Sequence, residues 1–471
     1  MEGTAQSGTP TYNRTTLVAV LLSGAFAAIL NQTLLATAIP EIMHDLNITE
    51  NTAQWLQSIF MLVNGIMIPI TAFLIETFTT RRLFLASMAL FVLGTLLCAI
   101  APNFLVLLSG RVVQAAGAGI MMPLMQTIFL YIFPVEKRGS AMGMVGLIIG
   151  FAPAIGPTLS GWVVEHFDWR FLFYIILPIA ILDLILAYFL LKNVTEQTYP
   201  KVDYFSIVLS TLGFGGILYG FSMAGEAGWT SSHVVIGILV GAIALVFFIL
   251  RQFKLEQPIL EFRVFKYNMF TLTTILGSIV FISMIGAAVV LPIYMQNMAH
   301  FSPLQSGLML LPGAIIVGAM SPITGRIFDR VGAKWLAIIG LFIVTVTTFL
   351  FTNLSTETTF TFLTIAHAIR MLGVSMVMMP VTTAGLNQLP YRLIPHGTAM
   401  NNTIRQVAGS VGTALLVTVM TTGATSNTDE GHIDGVNLSF FIAFVFSAIA
   451  FVMAFFIKKT SPEEEEQGGR S

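Results

Sequence analysis

Fourteen separate apolar runs, each about 17–25 residues long, leave this chain little choice of solvent. A helix needs about 20 such residues to cross the hydrocarbon core, and in lipid the helix satisfies its backbone internally. The runs fall near 16–39, 52–75, 83–101, 103–127, 140–164, 171–191, 204–224, 232–251, 269–295, 305–327, 334–352, 359–384, 397–420 and 438–457. Only 10% of the residues are charged, against about 25% in soluble domains. The first fifteen residues are polar and lack a signal-peptide layout, and the run at 16–39 has no obvious cleavage site. It is therefore read as a retained span. One cysteine, Cys98, excludes an intrachain disulfide and a cysteine metal site.

Lysine and arginine orient the runs. With the N-terminus in the cytoplasm, eighteen of the 22 basic residues fall in cytoplasmic segments. Arg111, Arg370 and Arg405 lie inside spans, and Arg170 alone falls outside. Such a bias predicts an even number of spans with both termini cytoplasmic.

The chain also repeats itself. Met121-Met122-Pro123 recurs as Met378-Met379-Pro380, and Gly139-Ser140-Ala141-Met142 recurs as Gly397-Thr398-Ala399-Met400. The loop around Ala72–Arg82 recurs around Gly325–Lys334. The offsets are 257, 258 and about 253 residues. These matches pair spans 1–6 with spans 9–14. The expected layout is a cytoplasmic segment (1–15), a six-helix bundle (16–191), two inserted helices (192–268), a second six-helix bundle (269–457) and an acidic tail (458–471). Parallel repeats of this kind characterise transporters whose substrate site lies between the halves.

The fifth run contains GLIIGFAPAIGPTLSG, from Gly146 to Gly161. Gly146, Gly150, Pro153 and Pro157 recur at helical spacing, with Gly156 and Gly161 beside them. A face with so little side-chain bulk lets another helix approach closely, and each proline removes a backbone donor.

These residues resemble the major facilitator superfamily, in particular its fourteen-span drug:proton antiporter branch. Gly325-Arg-Ile-Phe-Asp329-Arg330-Val-Gly332-Ala-Lys334 resembles the G-x-L-x-D-R-x-G-R-K loop, and Ala72, Leu74, Glu76, Thr79 and Arg81 form a degenerate copy. Arg111-Val-Val-Gln114-Ala-Ala-Gly117 resembles the R-x-x-Q-G signature. The stretch Gly146–Gly161 is similar to the antiporter signature G-x-x-x-G-P-x-x-G-P-x-x-G-G, which the family associates with exporters. Asp168-Trp169-Arg170, Asp203 and Gly228-Trp229 are similar to the fourteen-span branch. One position departs. Family members often carry aspartate in span 1, where this chain has Asn31, which does not titrate.

Charges inside spans are costly and mark function by default. Asp183 is the acid at mid-depth and the first candidate for carrying a proton. Arg111 is expected to tune or gate a nearby acid and to organise a polar network in the N-terminal half. Glu165 and Glu226, near outer helix ends, are candidates for proton entry. Cavity-lining candidates are Asn31, Gln32, Gln57, Gln114, Arg370, Arg405 and Asn401, with His367 one turn before Arg370. Glu76, Arg81, Gly325, Asp329 and Arg330 form an expected charge cluster that holds one conformation closed. For each, a packing role is the competing reading.

No phosphate loop is present, so ATP is not the expected energy source. The scattered histidines make no metal-ligand set, no basic cluster suits nucleic acid, and no enzyme signature or cofactor is expected. The 24 methionines and 38 phenylalanines suit a deformable apolar pocket. The resemblance implies a monomeric, multi-pass protein of the cell membrane. It would export amphipathic drugs, lincosamide-type antibiotics among them, in exchange for protons. An exporter or exchanger of a physiological metabolite or ion with the same fold is the alternative.

Overall fold

The computed structural model describes residues 13–195, 197–426 and 428–458, without the side chains of 36, 51 and 225–227. Among them the regular elements are helices: α1 (Arg14–Leu34), α2 (Ile39–Leu46), α3 (Glu50–Thr77), α4 (Thr80–Ala99), α5 (Phe104–Ile132), α6 (Arg138–His166), α7 (Phe171–Leu190), α8 (Tyr204–Ala227), α9 (Ser232–Lys254), α10 (Asn268–Asn297), α11 (Pro303–Val331), α12 (Ala333–Leu350), α13 (Phe360–Leu386), α14 (Ile394–Thr422) and α15 (Asp429–Ala454). All but α2 are long and apolar enough to cross a membrane, which makes fourteen spans. The acidic tail expected at 458–471 lies, past Lys458, outside the described residues.

Two boundaries differ from the apolar runs. The run 16–39 is not one helix. It stops at Leu34, passes through a tight 3-10 turn at Ala36–Ala38, and restarts as α2 with Pro40 in its first turn. Pro40 has no N–H to give back to Ala36, and its ring crowds that carbonyl, so the helix breaks there. At the other end α15 begins at Asp429, nine residues before the apolar run. The Thr428 side chain accepts from Gly431 N, and Asp429 and Glu430 occupy the first turn. A cap and two acids favour that helix start, and hydropathy does not register them.

Loop residues set most other starts. Asn13, Thr49, Thr79, Asn103, Asp203 and Thr359 each cap a helix through the side chain. Ser302 and Gln305 cap reciprocally at α11. A small polar group there satisfies an N–H that the helix leaves unpaired.

The spans assemble as two groups. α1 packs on α5, α6 and α7, and α4 and α3 pack on α5. In the second group α13 packs on α10, α11 and α12, and α10 and α12 pack on α15. The groups meet along α6–α11 on one side and α3–α14 on the other. α8 lies against both α3 and α14, and α9 packs outside it on α8.

The α8–α9 contact is built on glycine. A Cβ on Gly216 would come 2.7 Å from Gly241 Cα, and one on Gly213 would come 3.1 Å from Leu245 Cα. Lipid gives no hydrophobic drive for pairing, so close backbone approach is what holds such helices together. At the basic end Asp203 closes the pair. It accepts from Arg251 Nε at 2.7 Å and Nη2 at 3.0 Å, and from Ser206 Oγ at 2.7 Å. Arg251's donation holds the Asp203 carboxyl down at about 2, below its ordinary 3.8. A depressed carboxyl adds stability above its unfolded value and loses it as pH falls through its folded value. Asp203→Asn should therefore lower the melting temperature in detergent by a constant amount above about pH 4. The gap to wild type should shrink below that, and a gap unchanged down to pH 3 would remove the ion pair as its cause.

Candidate functional site

Where the two groups meet, α6 runs along α11 from the basic end to mid-membrane. A Cβ on Gly139 would press on Gly325 O (2.6 Å), and one on Gly143 on Ser321 O (2.6 Å). One on Gly146 would press on Ser321 Oγ (2.6 Å), and one on Gly150 on Gly318 Cα (2.6 Å). Beyond Gly150 the pattern changes. Gly156 faces Thr33 of α1, Pro153 and Pro157 are exposed, and Gly161 meets nothing within 4 Å. The small-residue stretch is therefore not one seam, as its spacing suggests. Its first half closes on the opposite group, and its second half packs within its own group or stands free. Across both prolines α6 remains a single helix.

Polar contacts seal the same end. Asp329, near the end of α11, accepts from Gly139 N at 2.7 Å and Ser140 N at 2.9 Å, and from the Ser140 hydroxyl. It sits on the N-terminus of α6, where backbone N–H groups and the helix dipole favour a carboxylate. Glu76, 253 positions earlier in the chain, does the matching thing at α14. Its Oε1 meets His396 Nε2 at 3.0 Å, while His396 Nδ1 accepts from Glu261 N at 3.3 Å. Arg138 donates to Asn387 Oδ1 at 3.0 Å, and the Tyr131 and Tyr391 rings stack at 4.1 Å.

This corrects the expected charge cluster. Among the described residues no arginine forms an ion pair with either acid. Arg81 instead reaches Tyr188 O and lies over the Tyr188 ring within its own group, and Arg330 is exposed. Helix N-termini and His396 take their place. His396 was missed, although the 258-residue offset pairs it with Arg138 and pointed there. Asp329→Asn should weaken closure by about 1–3 kcal/mol, the worth of hydrogen bonds to a charged group. In a Cys98→Ala background, labelling of Ser321→Cys from the basic side should rise about tenfold. Unchanged labelling would show that Asp329 does not hold the seam.

Deeper in the membrane lie the buried arginines. Arg111 on α5 donates to Leu56 O at 3.2 Å and to Gln114 Oε1 at 2.7 Å, and lies over the Phe60 ring. Gln114 continues the chain to Thr95 Oγ1 at 2.7 Å. Arg370 on α13 donates to Thr348 Oγ1 at 3.2 Å and Ser283 Oγ at 2.6 Å. Thr95 and Thr348 are 253 positions apart, so the repeat extends to these networks. Arg405 on α14 lies 5.0 Å over the Phe281 ring. His367 is buried beside Gly313.

Asp183 is not among them. It is buried on α7, where Ser23 of α1 donates to its Oδ1. Gly24 leaves room for its Oδ2, beside Met88 and Phe84. Among the described residues Arg111 and Asp183 share no hydrogen bond or ion pair. The acid is turned toward α1 and α4, and the arginine toward α3 and α4. Spacing along the chain cannot tell which neighbour a helix face meets. Asn31 is buried, Gln32 and Gln57 are half-buried, and Asn401 reaches Thr274 Oγ1 at 3.4 Å. The next residue, Asn402, bridges the groups by donating to Gln126 Oε1 at 2.7 Å. Glu165 is exposed, and the side chain of Glu226 lies outside the described residues.

Beyond the seam the inserted helices frame two hollows. A cavity of about 410 Å³ lies between α3, α8 and α9, lined by Leu62, Thr211, Gly215, Tyr219, His233 and Val240 among others. A smaller one of about 30 Å³ shares Leu62 and Tyr219 and reaches Gln406 and Ser410 of α14. At the end opposite the basic one, Asp45 is clamped by Trp169 Nε1 at 3.1 Å and Arg170 Nη1 at 2.9 Å. Their donation holds the Asp45 carboxyl below its usual range. The Asp168-Trp169-Arg170 triplet thus fastens α2 to the start of α7.

A family model described as Major Facilitator Superfamily matches residues 21–413. The chain is 58% identical to the uncharacterised MFS-type transporter YcnB of Bacillus subtilis, over 98% of both chains. It is 43% identical to the lincomycin resistance protein LmrB of Bacillus subtilis, over 94% of this chain and 95% of that one. Among solved structures, the proton:xylose symporter XylE superposes with a TM-score of 0.67 at 14% identity. It covers 95% of this chain and 96% of the other, a likeness of fold.

Proposed function

This chain belongs to the major facilitator superfamily, a multi-pass transporter of small molecules in the cell membrane, and we propose that it exports amphipathic drugs in exchange for protons by alternating access. The observation that carries this reading is the closure at one end. α6 and α11 meet through glycines, and two acids sit across the groups on a helix N-terminus and on His396. The polar contacts that close this end are separable hydrogen bonds across the groups, which suits a gate whose two states differ by a few kcal/mol. Past Gly150 the same helix turns exposed prolines outward. The basic end is the cytoplasmic one in this reading, with both termini there, and the structure is the outward-facing state. The rocking bodies are 16–191 and 269–457, with 192–268 inserted, acting as a monomer.

The direction and the drug class rest on the likeness to a lincomycin resistance protein and on the stretch Gly146–Gly161. Asn31 lends support to the second reading, an exporter of a physiological metabolite, because span 1 offers no titrating acid. Everted vesicles with an acid interior separate the two. In the first reading a lincosamide or another amphipathic drug collapses the gradient in vesicles that contain the protein, and not in vesicles without it. A gradient that no drug disturbs, while candidate metabolites do, would replace the first reading with the second.

A further inference from the structure

The polar groups left over inside this membrane protein are unbalanced, and the imbalance has a sign. Arg111 and Arg370 are fully buried, and Arg405 is 7% exposed. Among the described residues none of the ion pairs includes any of the three. Each keeps at least one buried N–H without an acceptor: Arg111 Nη2, Arg370 Nη1, and both Nε and Nη1 of Arg405. Buried Asn31 Nδ2 and Gln126 Nε2 add two more donors without partners. On the acceptor side, apart from hydroxyls, stand Asp183 Oδ2, Asn401 Oδ1 and, in one tautomer, His367 Nδ1, while Arg138 Nε is a further donor without a partner. Asp183 already belongs to the α1–α7 contact through Ser23.

Arg405 is the least satisfied of these groups. Arg111 and Arg370 are held by carbonyls, hydroxyls and an amide. Arg405 lies over the Phe281 ring, and its buried Nε and Nη1 have no acceptor among the described residues. It stands one residue before Gln406, whose Cγ lies 3.4 Å from the Cβ position of Gly65 on α3. It also stands three residues after Asn402, which crosses to Gln126 of α5. The guanidinium is therefore mounted on the stretch of α14 that faces the other group. A planar cation with free N–H groups at that depth is made for a carboxylate or a sulfonate, which accepts two parallel hydrogen bonds. Among the described residues no carboxylate pairs with Arg111, Arg370 or Arg405, and Asn31 carries a neutral amide in α1.

We infer that the translocated substrate is an amphipathic organic anion whose acidic group is taken by Arg405 while its apolar body lies against Phe281. This rests on the export and alternating-access part of that reading and replaces its drug class with an anionic one. Asn401 lies one turn toward the basic end of α14 and offers the acceptor Oδ1. A ligand with one anionic group and a nearby hydroxyl or amide N–H would match both residues. Arg111 and Arg370, already held by neighbours, add positive potential to the interior without touching the ligand.

The test uses purified full-length protein in proteoliposomes, with radiolabelled taurocholate as amphipathic anion and ethidium as amphipathic cation. Counterflow exchange needs no gradient, so it reports recognition separately from coupling. Wild type should exchange taurocholate. Arg405→Gln should reduce that exchange at least about tenfold, the scale of losing one charge-assisted pair, and Arg405→Lys should recover part of it. Ethidium exchange that exceeds taurocholate exchange in wild type would overturn the inference. So would an Arg405→Gln variant, unchanged in melting temperature, that still exchanges taurocholate at the wild-type rate. An imposed proton gradient then judges the other reading. Taurocholate exchange that no proton gradient drives uphill would sink proton coupling and leave the anion. Ethidium driven uphill, with taurocholate ignored, would sink the anion and leave the proton-coupled exporter.

Discussion

Gly150→Leu should stop transport. At that residue α6 crosses α11 glycine on glycine, and a Cβ would fall 2.6 Å from Gly318 Cα. Nothing at that point is a flexible side-chain end that could swing aside, because the obstacle is backbone. Phe151 already fills the space over Gly318 from the other side, at 2.7 Å from its Cβ position. A leucine there must push the two helices apart. Overpacking of this kind costs about 1–3 kcal/mol, occasionally more. The cost falls on the closed state alone, since the helices separate when the gate opens. At about 1.4 kcal/mol per tenfold, the variant should spend most of its time open at the basic end. Transport should fall at least about tenfold, and labelling of Ser321→Cys from that end should rise. Gly150→Ala should fall between. A Gly150→Leu protein with normal transport and normal melting temperature would mean that the crossing seen here is not a state through which the cycle passes.

Asp183→Asn should separate structure from coupling. The amide oxygen can accept from Ser23 as the carboxylate does, so the α1–α7 contact survives and the protein should fold and express. What the amide lacks is a proton to exchange. If Asp183 carries the coupling proton, drug-dependent collapse of an imposed gradient should vanish in the variant, while drug counterflow without a gradient continues. That split is not what a packing defect gives, because loss of packing would reduce both. Coupled transport retained at the wild-type rate would make Asp183 an interhelical strut. The search for the carrier would then move to Glu165 and the gate acids Glu76 and Asp329.

Much of the architecture was legible in one dimension. Fourteen spans, the inserted pair and the internal repeat all rest on properties that run along the chain, namely run length and a fixed offset. The offset reaches further than its motifs, since it relates Glu76 to Asp329 and Thr95 to Thr348 in the structure. The site was less legible because it depends on which face of a helix meets which neighbour. In chains buried on most sides, helical periodicity is weak, and no amphipathic stripe marks the inside. Thus Asp183 and Arg111 both lie inside spans and are both buried, yet they face different partners. Gly146 and Gly156 belong to one motif and meet different groups. The partner of Glu76 proved to be His396, 320 residues away, because a helix start preceded by a proline turn put it there.

The inserted helices carry a consequence of their own. The two seams between the groups are related by the repeat, but α8 covers the α3–α14 seam and α9 covers α8. The α6–α11 seam has no such cover. Lipid chains therefore press directly on one seam and meet a wall of two helices at the other. On the covered side α3, α8 and α9 leave a recess between them. Bilayer thickness or stiffness should bear on the uncovered seam first.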